Sequence, residues 1–305
     1  MKRGIISRLA ANKTLLLMIA PAAAYFFLFS YIPMAGVILA FKQFNYKLGI
    51  FDSPWVGFDN FRFFFMTGDA WRVTLNTFGY NASFIIVNNV LEIVIAILLA
   101  ELGSKWFRKL AQTTLLLPYF LSWVVVGAIA YNLFNYEHGL INTMLASVGL
   151  DRLDIYTTPE YWKYILVAVS AWKAVGYGAV FYMAAIMNVD KESYDAAEID
   201  GANLFQRIYH ITLPAIRPTV TILVLLAIGG IFRGDFGLFY QLVGGNGLLY
   251  QATDVIDTYA YRSLMIDNEI GMSAAIGFYQ SVLCFVTILA ANYLVRRTDK
   301  SNALF

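Results

Sequence analysis

Four charged side chains interrupt stretches that are otherwise apolar: Glu92, Lys173, Arg233 and Asp235. A charge at the centre of a bilayer costs at least roughly 2.5–3.5 kcal/mol on insertion scales, so each of these residues is expected to face a cavity or a partner rather than lipid. The chemistry they offer is recognition. An ammonium, a guanidinium and carboxylates bind hydroxyls and charged groups, whereas a reaction centre needs clustered acids, a metal or a nucleophile–base pair at one membrane face. His138 and His210 fall in connections on opposite sides of the predicted membrane and cannot share a site. No His or Cys spacing suits a metal. No Gly-x-x-x-x-Gly-Lys-Ser/Thr loop is present to cradle a nucleotide.

The elements that must position these charges are membrane spans. The chain is 59% hydrophobic and 14% charged, where a soluble protein carries about 25% charged residues. A span needs about 20 mostly apolar residues. Six such runs are present, at about 14–41, 75–101, 112–134, 163–187, 219–242 and 272–295. Lys2, Arg3, Arg8, Lys13, Lys105, Arg108, Lys109, Lys191, Arg207, Arg217, Arg296, Arg297 and Lys300 fall on one face. Lys42, Lys47, Arg62, Arg72, Arg152 and Arg262 form the smaller set on the other. The excess places both termini in the cytoplasm, although the first external loop carries four of the minority charges. Ala22-Ala23-Ala24 imitates a cleavage site, but the apolar run continues to Phe41, too long for a signal peptide, so the segment is expected to be retained. Cys284 reads as a small apolar span residue. The connections are short and no repeat is visible, so residues 1–305 read as one integral domain.

The external loops, about 42–74, 135–162 and 243–271, are the larger irregular pieces. The first is rich in aromatics, with Asp59–Phe65 suited to an interfacial helix and the rings to a belt at headgroup level. The third contains Gly244-Gly245-Asn246-Gly247, a turn signal. Arg233 and Asp235 are two apart and would point to different faces of a regular helix. Gly229, Gly230, Gly234 and Gly237 surround them, so a locally unwound helix lining a cavity is expected. Counting residues places Lys173 ~15 Å from the external face and Arg233 ~21 Å from the cytoplasmic one. Two readings stand for Arg233 and Asp235: substrate contacts, or a structural ion pair. Glu92, in the inner half of its run, reads as a structural or gating contact.

The connection at about 188–217 is cytoplasmic and unusually acidic. Ser193 is a fair N-cap, Asp195 and Glu198 suit a helix N-terminus, and Ala196 and Ala197 favour the helix. Gly201 can end it or allow close approach. Leu204, Phe205 and Ile208 then recur at helical spacing, and Pro214 and Pro218 punctuate the start of the next span. Small residues and an acidic edge make a docking shape.

That order of residues resembles the Glu-Ala-Ala loop of permease subunits in bacterial ABC importers. It reads Asp195-Ala196-Ala197, Gly201, Ile211 and Leu213-Pro214, complete except for Asp in place of the first Glu. The likeness covers nearly the whole chain. Asp200-Gly201-Ala202, Leu117-Pro118-Tyr119 and Trp172 are similar to the maltose-type carbohydrate branch. Pro33-Met34, Phe41-Lys42-Gln43-Phe44 and Phe232-Arg233-Gly234-Asp235-Phe236-Gly237 resemble its complex-oligosaccharide subgroup.

The resemblance implies an all-α type I importer permease with six transmembrane helices in a bacterial cytoplasmic membrane. It implies a loop, carried by Asp195, Ala196, Ala197, Glu198, Gly201, Leu213 and Pro214, that couples to a separate ATPase. The implied partners are a second permease subunit, two ATPases that use ATP and Mg, and an extracytoplasmic solute-binding protein; no cofactor is bound by this chain. It brings forward Tyr119, Trp123, Lys173 and Tyr177 as sugar-lining positions, with Arg233 and Asp235 alongside; ordinary packing between spans is the alternative for the three aromatic rings. The two cations raise an acidic oligosaccharide, such as one containing uronic acids, as the substrate; Asp235 neutralising Arg233 is the alternative. A polytopic membrane enzyme and a secondary transporter are the competing classes. The first lacks a reaction centre, and the second would need an ion or proton relay through the core.

Overall fold

The structure is a computed structural model and describes residues 12–298. Lys2, Arg3, Arg8 and Lys300, part of the charge reading, lie outside the described residues. Five helices are long and apolar enough to cross a membrane, and a bent helix pair supplies a sixth crossing if counted as one span. The first, α1 (Lys13–Phe41), is apolar on all sides and almost wholly unburied. A short helix, α2 (Asp59–Met66), lies in the first long loop as expected. The second span, α3 (Asp69–Glu101), is 33 residues long. At 1.5 Å per residue it measures ~50 Å, well beyond the hydrocarbon thickness, so its ends project past the membrane.

The predicted third span is two helices, α4 (Lys105–Phe120) and α5 (Trp123–Phe134), bent by 95°. Hydropathy alone did not reveal this break because both halves are apolar. A short helix, α6 (Leu140–Ser147), follows. The fourth span, α7 (Pro159–Met187), begins with Pro at its first position, where the missing N–H is harmless. It is the centre of the bundle, packing along α3 and against α4. Its small residues allow this. A Cβ on Gly176 would land on the Leu115 backbone of α4, and one on Gly178 on the Glu92 carboxyl of α3. Close backbone approach at small residues is how helices associate where lipid removes the hydrophobic drive.

The helix α8 (Lys191–Ile199) precedes the fifth span, α9 (Leu204–Gly229). The apolar run predicted at 219–242 is therefore not one span. Its helix begins near 204 and stops at Gly229, and α10 (Phe236–Val243) starts after a break. A further short helix, α11 (Ile256–Met265), leads to the last span, α12 (Ile270–Thr298). Cys284 sits half-buried within α12.

Three apolar clusters hold the bundle. One joins α3, α7 and α9 near the 188–203 connection through Ala96, Leu99, Ala179, Tyr182, Ile186 and Ile216. A second, at the opposite end, centres on Trp162, Leu166, Leu238 and Phe239. In the third, Phe64 of α2 is fully buried against Tyr259 and Tyr279. Phe51, Trp55, Phe58 and Trp71 stay exposed, in keeping with an aromatic belt.

Two charged groups at the same end are structural. Lys42 is buried, donates to the carbonyls of Ile50 and Phe51, and lies 4.9 Å from the Trp55 ring. The Asp254 side chain is fully enclosed and pairs with Arg262 of α11 and, at 3.5 Å, with Arg72 of α3. Thr258 Oγ1 also donates to it at 2.7 Å.

Candidate functional site

Two helix breaks meet in the middle of the bundle. At the first, α4 stops at Phe120 and α5 restarts at Trp123, with the Ser122 hydroxyl accepting from Val125 N. A helix end leaves carbonyls without N–H partners, and lipid cannot supply any. Here Lys173 of α7 supplies them, donating to Pro118, Tyr119 and Leu121 oxygens. Its Nζ lies 5.6 Å from the Tyr119 ring centre and 5.1 Å from that of Trp123. Tyr119 in turn stacks on Tyr177, one turn along α7, with centroids 4.2 Å apart and planes 6° from parallel. Both tyrosines are about two-fifths exposed, so the stack presents ring surface to an open space.

The second break spans residues 230–235 between α9 and α10. The unwinding expected from the four glycines is present, and its polar groups are met by side chains from neighbouring elements. Gln280 of α12 donates to Phe232 O at 2.9 Å, and Asn81 of α3 to Arg233 O at 3.2 Å. The Asp257 carboxylate accepts from Gly234 N at 2.6 Å and from Gln280 at 2.7 Å. Burial pushes the Asp257 carboxyl above its ordinary range, and these hydrogen bonds and the Arg233 charge oppose that rise. None of Asn81, Asp257 or Gln280 stood out in the sequence. An amide at an otherwise apolar span position was the one signal that could have found Asn81 and Gln280.

Asp235 caps α10, accepting from Leu238 N at 3.1 Å. Among the described residues Arg233 and Asp235 form no ion pair within 4 Å. Asp235 instead attracts Lys173, while Arg233, exposed, is felt by Asp257. The halves α5 and α10 are held together by glycine. Gly237 packs its bare backbone against the Trp123 indole, and Gly127 meets the Gln241 carbonyl. Tyr119, Trp123, Lys173 and Tyr177 thus form one contact group, Asp235 joins it through charge, and Arg233 lies two residues further along the second break. Glu92 is elsewhere, its carboxyl half-buried against Gly178.

The 188–217 connection is a braced bracket. Its helix α8 begins at Lys191 with Asp190 at the cap position, three residues ahead of the expected Ser193 cap. Gly201 ends it with φ +78°. Gly201 N donates to Glu198 O and Ala202 N to Ala197 O, which satisfies the last carbonyls in the manner of a Schellman turn. Asn203 and Gln206 then cap each other's backbone at the start of α9. The expected second short helix is thus the first turn of α9. Leu213 and Pro214 do not begin a new element, because a wide π turn at Ile208–Thr212 carries the helix through. Such a turn relieves the ring clash and missing N–H of proline.

The bracket is tied by Arg207 to Glu198 at 3.0 Å and by Tyr194 OH to Thr212 Oγ1 at 2.9 Å. Asp195 and Ala196 are exposed on it, and Ala197 is half-buried. Ile199, Phe205 and Tyr209 project from it almost uncovered. Neighbouring exposed rings and an isoleucine on a rigid turn mark an interaction surface. Sequence reading did not single out Ile199 or Tyr209.

Comparison with known proteins places this geometry in a family. The family described as binding-protein-dependent transport system inner membrane component matches residues 92–300. Protein LplB of Bacillus subtilis is 34% identical over 297 residues, covering 97% of this chain and 93% of that one. The polygalacturonan/rhamnogalacturonan transport system permease protein YteP of the same organism is 30% identical, covering 97% and 92%. Among solved structures, a bacterial ABC transporter involved in import of the acidic polysaccharide alginate contains a chain with TM-score 0.87 and 32% identity, covering 97% of this chain and 99% of that one. The chain therefore belongs to the binding-protein-dependent inner-membrane transport components, an all-α, multi-pass permease subunit of a carbohydrate ABC importer and not its ATPase.

Proposed function

We propose that this chain, residues 1–305 as one permease domain, forms half of a transmembrane pair that imports an acidic oligosaccharide. The observation that carries the reading is the exposed Tyr119–Tyr177 stack at the first helix break, with Lys173 near the rings of Tyr119 and Trp123, Asp235 attracting Lys173, and the exposed Arg233 on the adjoining second break. Aromatic faces suit sugar rings, and a cation outside any ion pair suits a carboxylate. The solved transporter is described as importing the acidic polysaccharide alginate, and YteP is named for polygalacturonan/rhamnogalacturonan transport.

In this reading the other half is a different but similar chain, and a solute-binding protein delivers substrate to the loops opposite the bracket. Two ATPases use ATP and Mg in the cytoplasm, where both termini of this chain also lie. Each ATPase holds one permease subunit by its bracket. On this chain Asp195, Ala196, Ala197, Glu198 and Gly201 shape the bracket, and Leu213-Pro214 anchors it to α9. Closure of the ATPases moves the spans through it.

The test is uptake-coupled ATP hydrolysis by the reconstituted complex, supplied with neutral and uronate oligomers of matched length. Faster turnover with uronates is expected. A preference for neutral sugars sinks the acidic assignment, and hydrolysis by this chain without an added ATPase sinks the division of labour.

A further inference from the structure

Lys173 stands where a substrate-binding cation is expected, yet its donors are already engaged. An ammonium has three N–H groups. Lys173 Nζ lies 3.3 Å from Pro118 O, 2.7 Å from Tyr119 O and 2.7 Å from Leu121 O. These carbonyls belong to the last turn of α4 and the gap before α5, the end of a helix that carries partial negative charge. Tyr119 and Trp123, the rings that flank the gap, also flank the ammonium. Lys173 and Tyr177 share one face of α7, so the same helix face that holds the break also holds the ring on which Tyr119 stacks.

Arg233 has the opposite character. It is exposed, and among the described residues its guanidinium forms no salt bridge. The carbonyl of Arg233 is held by Asn81 and the amide of the next residue, Gly234, by Asp257, so the local backbone does not depend on the Arg233 side chain.

We infer that Lys173 is a positioning residue that clamps the α4–α5 break and sets the pitch of Tyr119 and Trp123, while recognition of the substrate's acidic group falls to Arg233. The assignment rests on the oligosaccharide reading only for its transport readout. The clamp itself is a property of the chain alone, and it has its own measurement.

The chain has a single cysteine, so Cys284→Ala gives a thiol-free background. Into it go Tyr119→Cys and Tyr177→Cys, and a short bifunctional thiol reagent reads their proximity in the full chain in nanodiscs. In parallel, the reconstituted complex with native Tyr119 and Tyr177 is assayed for uronate and neutral oligomers of matched length. Lys173→Gln is expected to lower cross-linking and to slow both substrates alike by about tenfold, since carbonyls are left unmet in the membrane. Arg233→Gln is expected to leave cross-linking intact and to lower the uronate-to-neutral ratio.

A lowered ratio with Lys173→Gln, or unchanged cross-linking in that variant, overturns the inference. Should Lys173→Gln fail to insert, Lys173→Arg is judged by the same two criteria, because a branched guanidinium cannot place three donors as one ammonium does. If the unmodified complex moves no oligosaccharide, the substrate reading fails, while cross-linking still decides whether Lys173 clamps the break.

Discussion

Gly201 allows backbone shape and side-chain bulk to be separated at the bracket proposed to meet the ATPase. Its φ of +78° lies in the left-handed region, and a Cβ added there would meet nothing within 4 Å. A substitution therefore acts on the free chain through conformation alone. Left-handed backbone costs a residue with a Cβ roughly 1–2 kcal/mol, and Asn less because its short amide bonds locally. Gly201→Ala should thus lower the population of the closed bracket roughly 5- to 30-fold relative to its competitors.

If the ATPase recognises the closed bracket, the affinity of the purified chain for the ATPase subunit should fall by up to that factor, the full drop requiring that the open form dominates in the variant. Gly201→Asn should bind more tightly than Gly201→Ala, although asparagine is the larger residue, and Gly201→Val should be weakest. The assay is a binding titration of the ATPase subunit onto the permease in nanodiscs, followed by sugar moved per ATP consumed. If Asn binds worse than Ala, bulk at the interface decides affinity and the conformational argument is wrong. Equal affinities would show that the turn at Gly201 is not read by the partner at all.

Other expectations concern separate parts of the molecule. Asp195→Arg should let ATP hydrolysis run without sugar movement or prevent assembly, and normal transport in that variant would show that the bracket is not the coupling element. Gly176→Val should cost about 2–3 kcal/mol or prevent folding, because its Cβ would meet the Leu115 backbone, which cannot turn aside; thermal unfolding in detergent reads this. Asp254→Ala should destabilise the end that holds α11 by about 3 kcal/mol, since it leaves the largely buried Arg262 without its carboxylate, while Arg72 keeps Asp69 at 2.7 Å. Hydrogen exchange across residues 250–265 should rise in that variant, and an unchanged pattern would mean the ion cluster is dispensable.

Helix content and the bracket were legible in the sequence because both are written in local chemistry. Apolar runs of span length have one stable form in lipid, and Gly201 encodes a helix end by conformational preference. The glycines around Arg233 likewise announced a break. The bend after Phe120 was hidden. The residues on both sides of it, 115–120 and 123–127, are apolar, and the residue that satisfies its carbonyls, Lys173, lies 54 positions from Tyr119 in sequence. The same holds for Asn81 and Gln280, whose partners at 232 and 233 are brought near only by packing. Charge in a span signals that something must be met there. Whether the group met is substrate or the protein's own backbone depends on tertiary geometry that no local pattern records.

The second break has its backbone secured chiefly by the side chains of Asn81, Asp257 and Gln280, with no hydrogen bond from the Arg233 side chain among the described residues. Under the assignment inferred above, scaffold and recognition at that position are carried by different residues. Such a division makes the site evolvable: a relative can acquire taste for a new sugar by changing the residue at 233, with no repair required in the helices that hold the loop. It also defines a practical library. Randomising 233 while keeping 81, 257 and 280 fixed samples selectivity within one folded framework.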